Sequence, residues 1–350
     1  MIGGSVVQGF TNNKLVNLAL SWETTTVLNL GLDLGFFNSR LTTEFDYYNR
    51  LTTGMIRPSD LSNLLSGAYN APRTNIGILR NRGFEGNVSW RDKVGAVNYG
   101  ISLNASYNSS TLEKWNEYLG RGATLSGNNT FINMPYGYVY TYQDSGIAQT
   151  WADVYNATPQ GAQPGDILRK DVNGDGRIDA NDMVALPDVQ QKTPTTFFGL
   201  NSYVSWKGID LSVLWQGSTG RKDFWLNSFN TVNFSSARYA VTQAHWDNPW
   251  SVENRGGLWP RLGGASANTS NTTFWLDNMR YLRLKNVQVG YTFPQRLVKR
   301  LGIASLRVTG SAENLLTLTS YRGLDPEKAG DNDNLYPLNK AYSLSVQLGF

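Results

Sequence analysis

The one stretch whose residue types and spacing could organise chemistry is Asp171-Val172-Asn173-Gly174-Asp175-Gly176-Arg177-Ile178-Asp179-Ala180-Asn181-Asp182. It places oxygen-bearing side chains at positions 1, 3, 5, 9 and 12 of a calcium-loop pattern, with glycine at 6. A hard divalent cation wants six to eight oxygens, and this spacing wraps Asp171, Asn173, Asp175, Asp179 and Asp182 around one centre. Arg177 would add its backbone carbonyl, and Gly176 allows the sharp turn. Asp182 is shorter than the usual glutamate, so a bidentate grip at the last position is in doubt. The flanking Ile167-Leu168-Arg169-Lys170 does not read as a helix, so the spacing predicts an isolated loop with a structural Ca2+. The bland alternative is a solvated acidic turn.

Nothing comparable points to catalysis. The single histidine, His245, lies in Ala244-His245-Trp246-Asp247 without a nucleophile elbow, a His-Glu-x-x-His motif or a phosphate loop. General acid–base work needs a partnered histidine or a perturbed carboxylate in a cleft. Carboxylates are spread through polar stretches and no pair stands out. Trp115, Trp151, Trp225, Trp246, Trp250 and Trp259 could stack on sugars, although packing among loops is the commoner use. There are no cysteines, which excludes disulfides, thiolate metal sites and a cysteine nucleophile.

The elements that must carry such a loop are strands. Tyr342, Leu344, Val346, Leu348 and Phe350 alternate with Ser343, Ser345, Gln347 and Gly349. The same rule runs through Leu28–Phe36 and Val97–Tyr107, and in shorter form at Leu41–Tyr47, Phe84–Trp90, Phe198–Trp206, Ile209–Trp215, Val287–Phe293 and Leu306–Ala312. Successive strand side chains point to opposite faces, so each of these has one apolar and one polar face. Repeated two-faced strands of about ten residues with aromatic ends are what a transmembrane β-barrel requires. No apolar run approaches a membrane helix, and the mean hydropathy is −0.36. With 31 Lys and Arg against 27 Asp and Glu, scattered along 350 residues, the chain lacks the electrostatic footprint of a nucleic-acid binder.

Connection lengths give a topology. Short joins at Phe37–Ser39, Arg91–Ala96, Lys207–Gly208 and Pro294–Gly302 alternate with long polar ones at about 51–80, 109–195, 218–280 and 315–340. Barrels of the outer membrane have short periplasmic turns and long extracellular loops, so the long connections are expected outside. Pro294–Gly302 reads as one or two helical turns bounded by Pro and Gly. The count is nine strands, or eleven if segments near Tyr136–Tyr142 and Gly146–Trp151 pair within the longest loop. Met1–Gln8 lacks the features of an export signal, so a barrel reading expects Met1 to be an internal methionine or a gene-call or cloning boundary.

Several segments together resemble the SusC/RagA class of TonB-dependent outer-membrane transporters of Bacteroidetes. They are Leu20-Ser21-Trp22-Glu23-Thr24-Thr25 with Asn29–Asp33, Asp46-Tyr47-Tyr48, Asn81-Arg82-Gly83-Phe84-Glu85, and Gly165-Asp166-Ile167 ahead of the acidic loop. Further on come Tyr281–Asn286, Gly290–Pro294, Glu313-Asn314-Leu315-Leu316 and Gly323-Leu324-Asp325-Pro326-Glu327, before the terminal Phe350. The resemblance implies an all-β antiparallel barrel of roughly 22 strands, to which residues 1–350 contribute the C-terminal 9–11, without plug domain or TonB-contacting segment. It also implies import of a nutrient such as an oligosaccharide or peptide across the cell outer membrane, with a SusD-like surface lipoprotein and with the TonB complex acting through the missing plug. No enzymatic role follows. The competing reading is a secreted, soluble, calcium-binding β-domain that binds or hydrolyses polysaccharide.

Overall fold

The computed structural model describes residues 16–58, 72–115, 124–125, 128–129, 133–190, 193–224, 243–261, 268, 270–328, 336 and 338–350. Nine long strands carry the chain: β1 Thr24–Phe36, β2 Leu41–Pro58, β3 Arg73–Val94, β4 Val97–Lys114, β5 Thr196–Trp206, β6 Ile209–Thr219, β7 Tyr281–Thr292, β8 Ser305–Thr319 and β9 Ala341–Gly349. They pair in that order, each with its sequence neighbour, and Met134–Pro135 adds a short tenth strand against β4. The ladders from β4 to β9 are antiparallel, so the all-β antiparallel fold class stands. No described helix is long and apolar enough to cross a membrane.

The register turns alternation into two continuous faces. Tyr99, Val204, Leu211, Val289, Gly310 and Leu344 form one row across β4 to β9, and Ile101, Ser202, Val213, Val287, Ala312 and Tyr342 form the next. Rows displaced by one residue are polar: Gly100, Tyr203, Ser212, Gln288, Ser311 and Ser343 pair across the same strands. The apolar rows are not covered by protein. Ile101, Leu103, Val204, Val289 and Leu344 are all exposed, Leu344 at 78%. A contiguous exposed apolar face of this extent is incompatible with water and suited to lipid. β5 and β6 have 11 residues each, enough at ~3.3 Å per residue to cross a hydrocarbon core while tilted.

Small residues on the polar face make room for large ones. A Cβ at Gly100 would run into the Tyr203 ring, and one at Gly290 into the Arg307 guanidinium and, at 2.8 Å, Asp210 Oδ2. Asp210 on β6 and Arg307 on β8 meet over Gly290 on β7, with Nη1–Oδ1 at 2.6 Å and Nη2–Oδ2 at 2.8 Å.

The chain separates into two compact units. One comprises residues 1–30, 47–83 and 108–136. Within it Asn75 donates to Ser21 O and Gly54 O, each at 2.8 Å, and Arg80 pairs with Glu113. The second comprises 31–46, 84–107 and 137–350 and holds the buried core of Ile167, Trp259, Trp275, Met279 and Tyr321.

Three readings change in detail. The strands reach further than alternation alone indicated, so that residues 51–58 and 73–80, read as connection, are ladder. Tyr138–Tyr142 and Asp144–Ile147 do form strands, but neither pairs with the other: the first pairs with Met183–Gln190 and the second with Ile167–Arg169, because each finds a partner across the loop. Trp151 opens the helix Trp151–Asn156, held by a Thr150–Asp153 capping box. Pro294–Gly302 forms a helical turn at Gln295–Val298 and a 3₁₀ turn at Lys299–Leu301, with Gly302 left-handed at φ 71°. Met1–Gln8 lies outside the described residues.

Candidate functional site

Within the second unit, parts of three long connections pack into one body. Its centre is Asp166, fully buried. Arg261 donates to both its oxygens, Nε to Oδ1 at 2.7 Å and Nη2 to Oδ2 at 3.2 Å. Asn268 Nδ2 donates to Oδ1 at 2.8 Å and Gln163 N to Oδ2 at 2.9 Å. A buried carboxylate is tolerated only when its charge is paired and its lone pairs are filled, and both conditions hold here. Asn268 then accepts from Ile167 N at 2.8 Å and from Trp275 Nε1 at 3.0 Å, linking the charge to the aromatic core. Gly165 is required twice over: its φ is +91°, and a Cβ would meet the Trp250 ring and, at 2.7 Å, Arg261 Cβ.

Other bonds tie the same connections together. Thr141 Oγ1 donates to Asn271 O at 2.8 Å, Gly256 N to Gln149 Oε1 at 2.7 Å, and Arg261 N to Gly165 O at 2.8 Å. Of the tryptophans that could stack on sugars, Trp250 and Trp259 are buried, Trp259 lying parallel to Trp275 at 6.2 Å. Trp115 is covered by Arg57 at 3.1 Å, whereas Trp151, stacked on Tyr155, and Trp246 are exposed. Trp225 lies outside the described residues, and His245 falls in the short helix Gln243–Asp247.

The acidic loop leaves this body just after the strand Ile167–Arg169. Asp171 accepts from Gly174 N at 2.7 Å and Gly176 N at 2.9 Å, Asn173 from Asp175 N at 2.9 Å, and Asp175 from Arg177 N at 2.9 Å. Gly174 and Gly176 are left-handed at φ 73° and 80°, as the curl demands. Asp182, fully buried, closes the loop by accepting from Val172 N at 2.9 Å and Asp179 N at 2.8 Å. These bonds, led by that from Asp179 N, hold its carboxyl below the usual carboxylate range. Asp179 caps the 3₁₀ turn Ala180–Asp182. The six predicted positions thus share one curled loop, exposed except at its half-buried first residue Asp171 and its buried last residue Asp182. Among the described residues no group of three or more His, Cys, Asp or Glu side chains converges as a metal cage. Asp171 Oδ2 also accepts from Thr158 Oγ1 at 3.2 Å, while oxygens that accept a single N–H, such as Asp171 Oδ1, keep a second lone pair that a hard cation could use.

Two groupings escaped sequence reasoning. A cleft of about 550 Å³ on the polar face of the sheet is lined by Glu44, Asp46, Glu85, Asn104, Phe197 and Gln216. Arg283 on β7 meets Asp325 and Glu327, and Lys285 meets Glu327, which joins Tyr281–Asn286 to Gly323–Glu327 in space.

No family model matches the chain. Its sequence is 29% identical to TonB-dependent receptor P3 of Formosa agariphila over 95% of this chain and 33% of that protein. It is 28% identical to TonB-dependent receptor SusC of Bacteroides thetaiotaomicron over 99% of this chain and 34% of that protein. The fold is similar to the RagAB peptide transporter, with TM-score 0.73 and 26% identity over 95% of this chain and 36% of that one. Against the RagAB peptide importer in its open-open state the TM-score is 0.75 at 25% identity, over 95% and 35% of the two chains. The chain therefore spans about a third of the length of the curated relatives it matches. The resemblance to SusC-like TonB-dependent transporters is borne out in sequence and fold, and with it the β-barrel class and the outer-membrane location. These relatives are receptors and transporters rather than polysaccharide hydrolases.

Proposed function

From a chain similar over nearly all its length to SusC and RagAB, we propose that it forms part of the wall and outer loops of an importer that takes up an oligosaccharide or peptide. The reading rests most directly on the uncovered apolar rows of the sheet, backed by a polar face across the same strands. A wall of this kind binds and positions without making or breaking bonds, so we assign it no enzymatic step. In the proposed cycle a SusD-like surface lipoprotein meets the outer loops, and the TonB complex supplies energy through a plug. Preformed loops favour such docking, because ordering them on binding would cost affinity.

The Asp171–Asp182 loop is assigned a structural Ca2+, held by Asp171, Asn173, Asp175, Asp179 and Asp182 and by the Arg177 carbonyl. Extracellular sites of this kind bind on the order of 10⁻⁴–10⁻³ M. The ion would offset half the charge of the four carboxylates and stiffen the loop.

The test is affinity purification of the tagged full-length protein from outer membranes, with uptake of labelled oligosaccharides and peptides in the same cells. The reading expects a lipoprotein to co-purify and one ligand class to accumulate only while the inner membrane is energised. Uptake by passive diffusion, or a receptor recovered alone under mild detergent, would sink it.

A further inference from the structure

Asp325 joins three segments distant in sequence. Its Oδ1 accepts from Arg283 Nη2 on β7 at 2.8 Å and from Glu327 N at 2.9 Å. Its Oδ2 accepts from Leu338 N at 3.1 Å, three residues before β9 begins. Arg283 is buried and fully engaged: Nε donates to Thr317 Oγ1 on β8 at 2.9 Å, and Nη1 donates to Glu327. A bulge places the second cation. Trp215 and Leu214 pair with Leu284 and Asn286, which leaves Lys285 out of the ladder, and its Nζ reaches Glu327 at 3.3 Å.

The residues just before Asp325 lead into the loop body. Tyr321 is buried among Trp259, Trp275, Met279 and Ile167. Arg322 Nε donates to Asp277 at 2.8 Å, and its guanidinium lies over Trp259 at 5.0 Å. Residues 321–327 are thus a strap with one end in the aromatic core and the other locked to the sheet.

We propose that Asp325 is the positioning residue of the outer-loop body: through Arg283 it fixes the strap to the sheet, and the strap fixes the core on which the three connections pack. Its consequence for import rests on the function proposed above; the positioning itself does not. Replacing Asp325 leaves Arg283 buried with Glu327 as its one remaining carboxylate, and frees Leu338 N. The loosening is then transmitted through Tyr321 and Arg322 to segments that Asp325 does not touch.

The experiment is hydrogen exchange of the full-length receptor in detergent, wild type against Asp325→Asn, Arg283→Leu and the double variant. The expected result is at least tenfold faster exchange in Asp325→Asn at residues 144–147, 167–169 and 272–279, with β5 and β6 unchanged. The double variant should exchange less than the product of the single effects predicts, because both singles break the same link. Faster exchange confined to 321–340, or multiplicative effects in the double variant, would overturn the proposal. Where Asp325→Asn fails to reach the membrane, the half-exposed Glu327→Gln should give a smaller acceleration of the same segments, and none there would count against it. Uptake measured in parallel separates the two readings: loosened loops with unaltered uptake uphold the positioning role and contradict only the import function of the loop body.

Discussion

Placing arginine at neighbouring positions on opposite faces of the sheet gives opposite outcomes. Ile101 on β4 pairs with Ser202 on β5, one step along the ladder from the pair Ser102–Asn201. Ile101 is an exposed member of the apolar rows, and Asn201 is an exposed member of the polar ones. Both lie inside their strands, Ile101 as the fifth residue of β4 and Asn201 as the sixth of the eleven in β5. An arginine on the lipid face of a barrel costs about 2–4 kcal/mol near the bilayer midplane and about 0–1 kcal/mol near the interfaces, whereas one on the lumen face pays no such transfer cost. Ile101→Arg should therefore shift the folding equilibrium by about 30- to 700-fold at ~1.4 kcal/mol per decade. Asn201→Arg should shift it less than about threefold, since the guanidinium stays in water. The assay is denaturant titration of the full-length receptor folded into lipid vesicles, read by the gel shift of folded against unfolded barrel. Equal costs, or a greater cost for Asn201→Arg, would refute the assignment of faces.

Further outcomes follow from the loop body and the acidic loop. Asp166→Ala deprives the half-buried Arg261 guanidinium and the buried Asn268 Nδ2 of their carboxylate and should destabilise the loop body by on the order of 3 kcal/mol, seen as proteolysis at 160–170 while β5 and β6 stay protected. Calcium should slow proteolysis of residues 160–195 and Asp175→Asn should weaken that protection; equal cleavage in chelator and in millimolar calcium would contradict the assignment. Burial pushes the Asp325 carboxyl up, but the Arg283 hydrogen bond and the N–H groups of Glu327 and Leu338 outweigh it, leaving the group below its ordinary value of 3.8. A depressed carboxyl contributes stability above its unfolded pKa and loses it as pH falls through the folded one. The strap should stay docked at pH 5 and loosen only below about 4, which exchange at 321–328 as a function of pH can check. Gly290→Val should separate Arg307 from Asp210, and a smaller effect of that substitution in an Asp210→Asn background would confirm the cause.

Much of the fold was legible because a period of two is a direct imprint of two environments. Leu200 and Val204 read as lipid-facing from spacing alone, and the register bears this out against Leu103 and Tyr99. The bulge at Lys285 was also written in the chain: Leu282 and Leu284 share one parity, Val287 and Val289 the other, and the switch marks the extra residue. The long strand ends were missed because beyond residue 51 β2 and below residue 80 β3 lose strict alternation, and there Asn75 binds the backbone carbonyls of Ser21 and Gly54 while Arg57 lies over Trp115. Asp166 stood in the sequence beside Gly165, but its partners Arg261 and Asn268 are 95 and 102 residues away, and no local pattern can announce such a pairing. The same holds for Arg283 and Asp325, 42 residues apart, which appeared only as two separate likenesses to known transporters.

The central claim is that one face of this sheet meets lipid and the other does not. These 350 residues contain no cysteine, so single cysteines placed at each position from Phe198 to Trp206 can be read against the unsubstituted receptor as the blank. Labelling the full-length receptor in outer membranes with a lipid-soluble and a water-soluble maleimide measures the claim position by position. Strict alternation is predicted, with the lipid-soluble reagent favoured at residues 198, 200, 202, 204 and 206 and the water-soluble one at 199, 201, 203 and 205. Uniform labelling along the strand by the water-soluble reagent would contradict it.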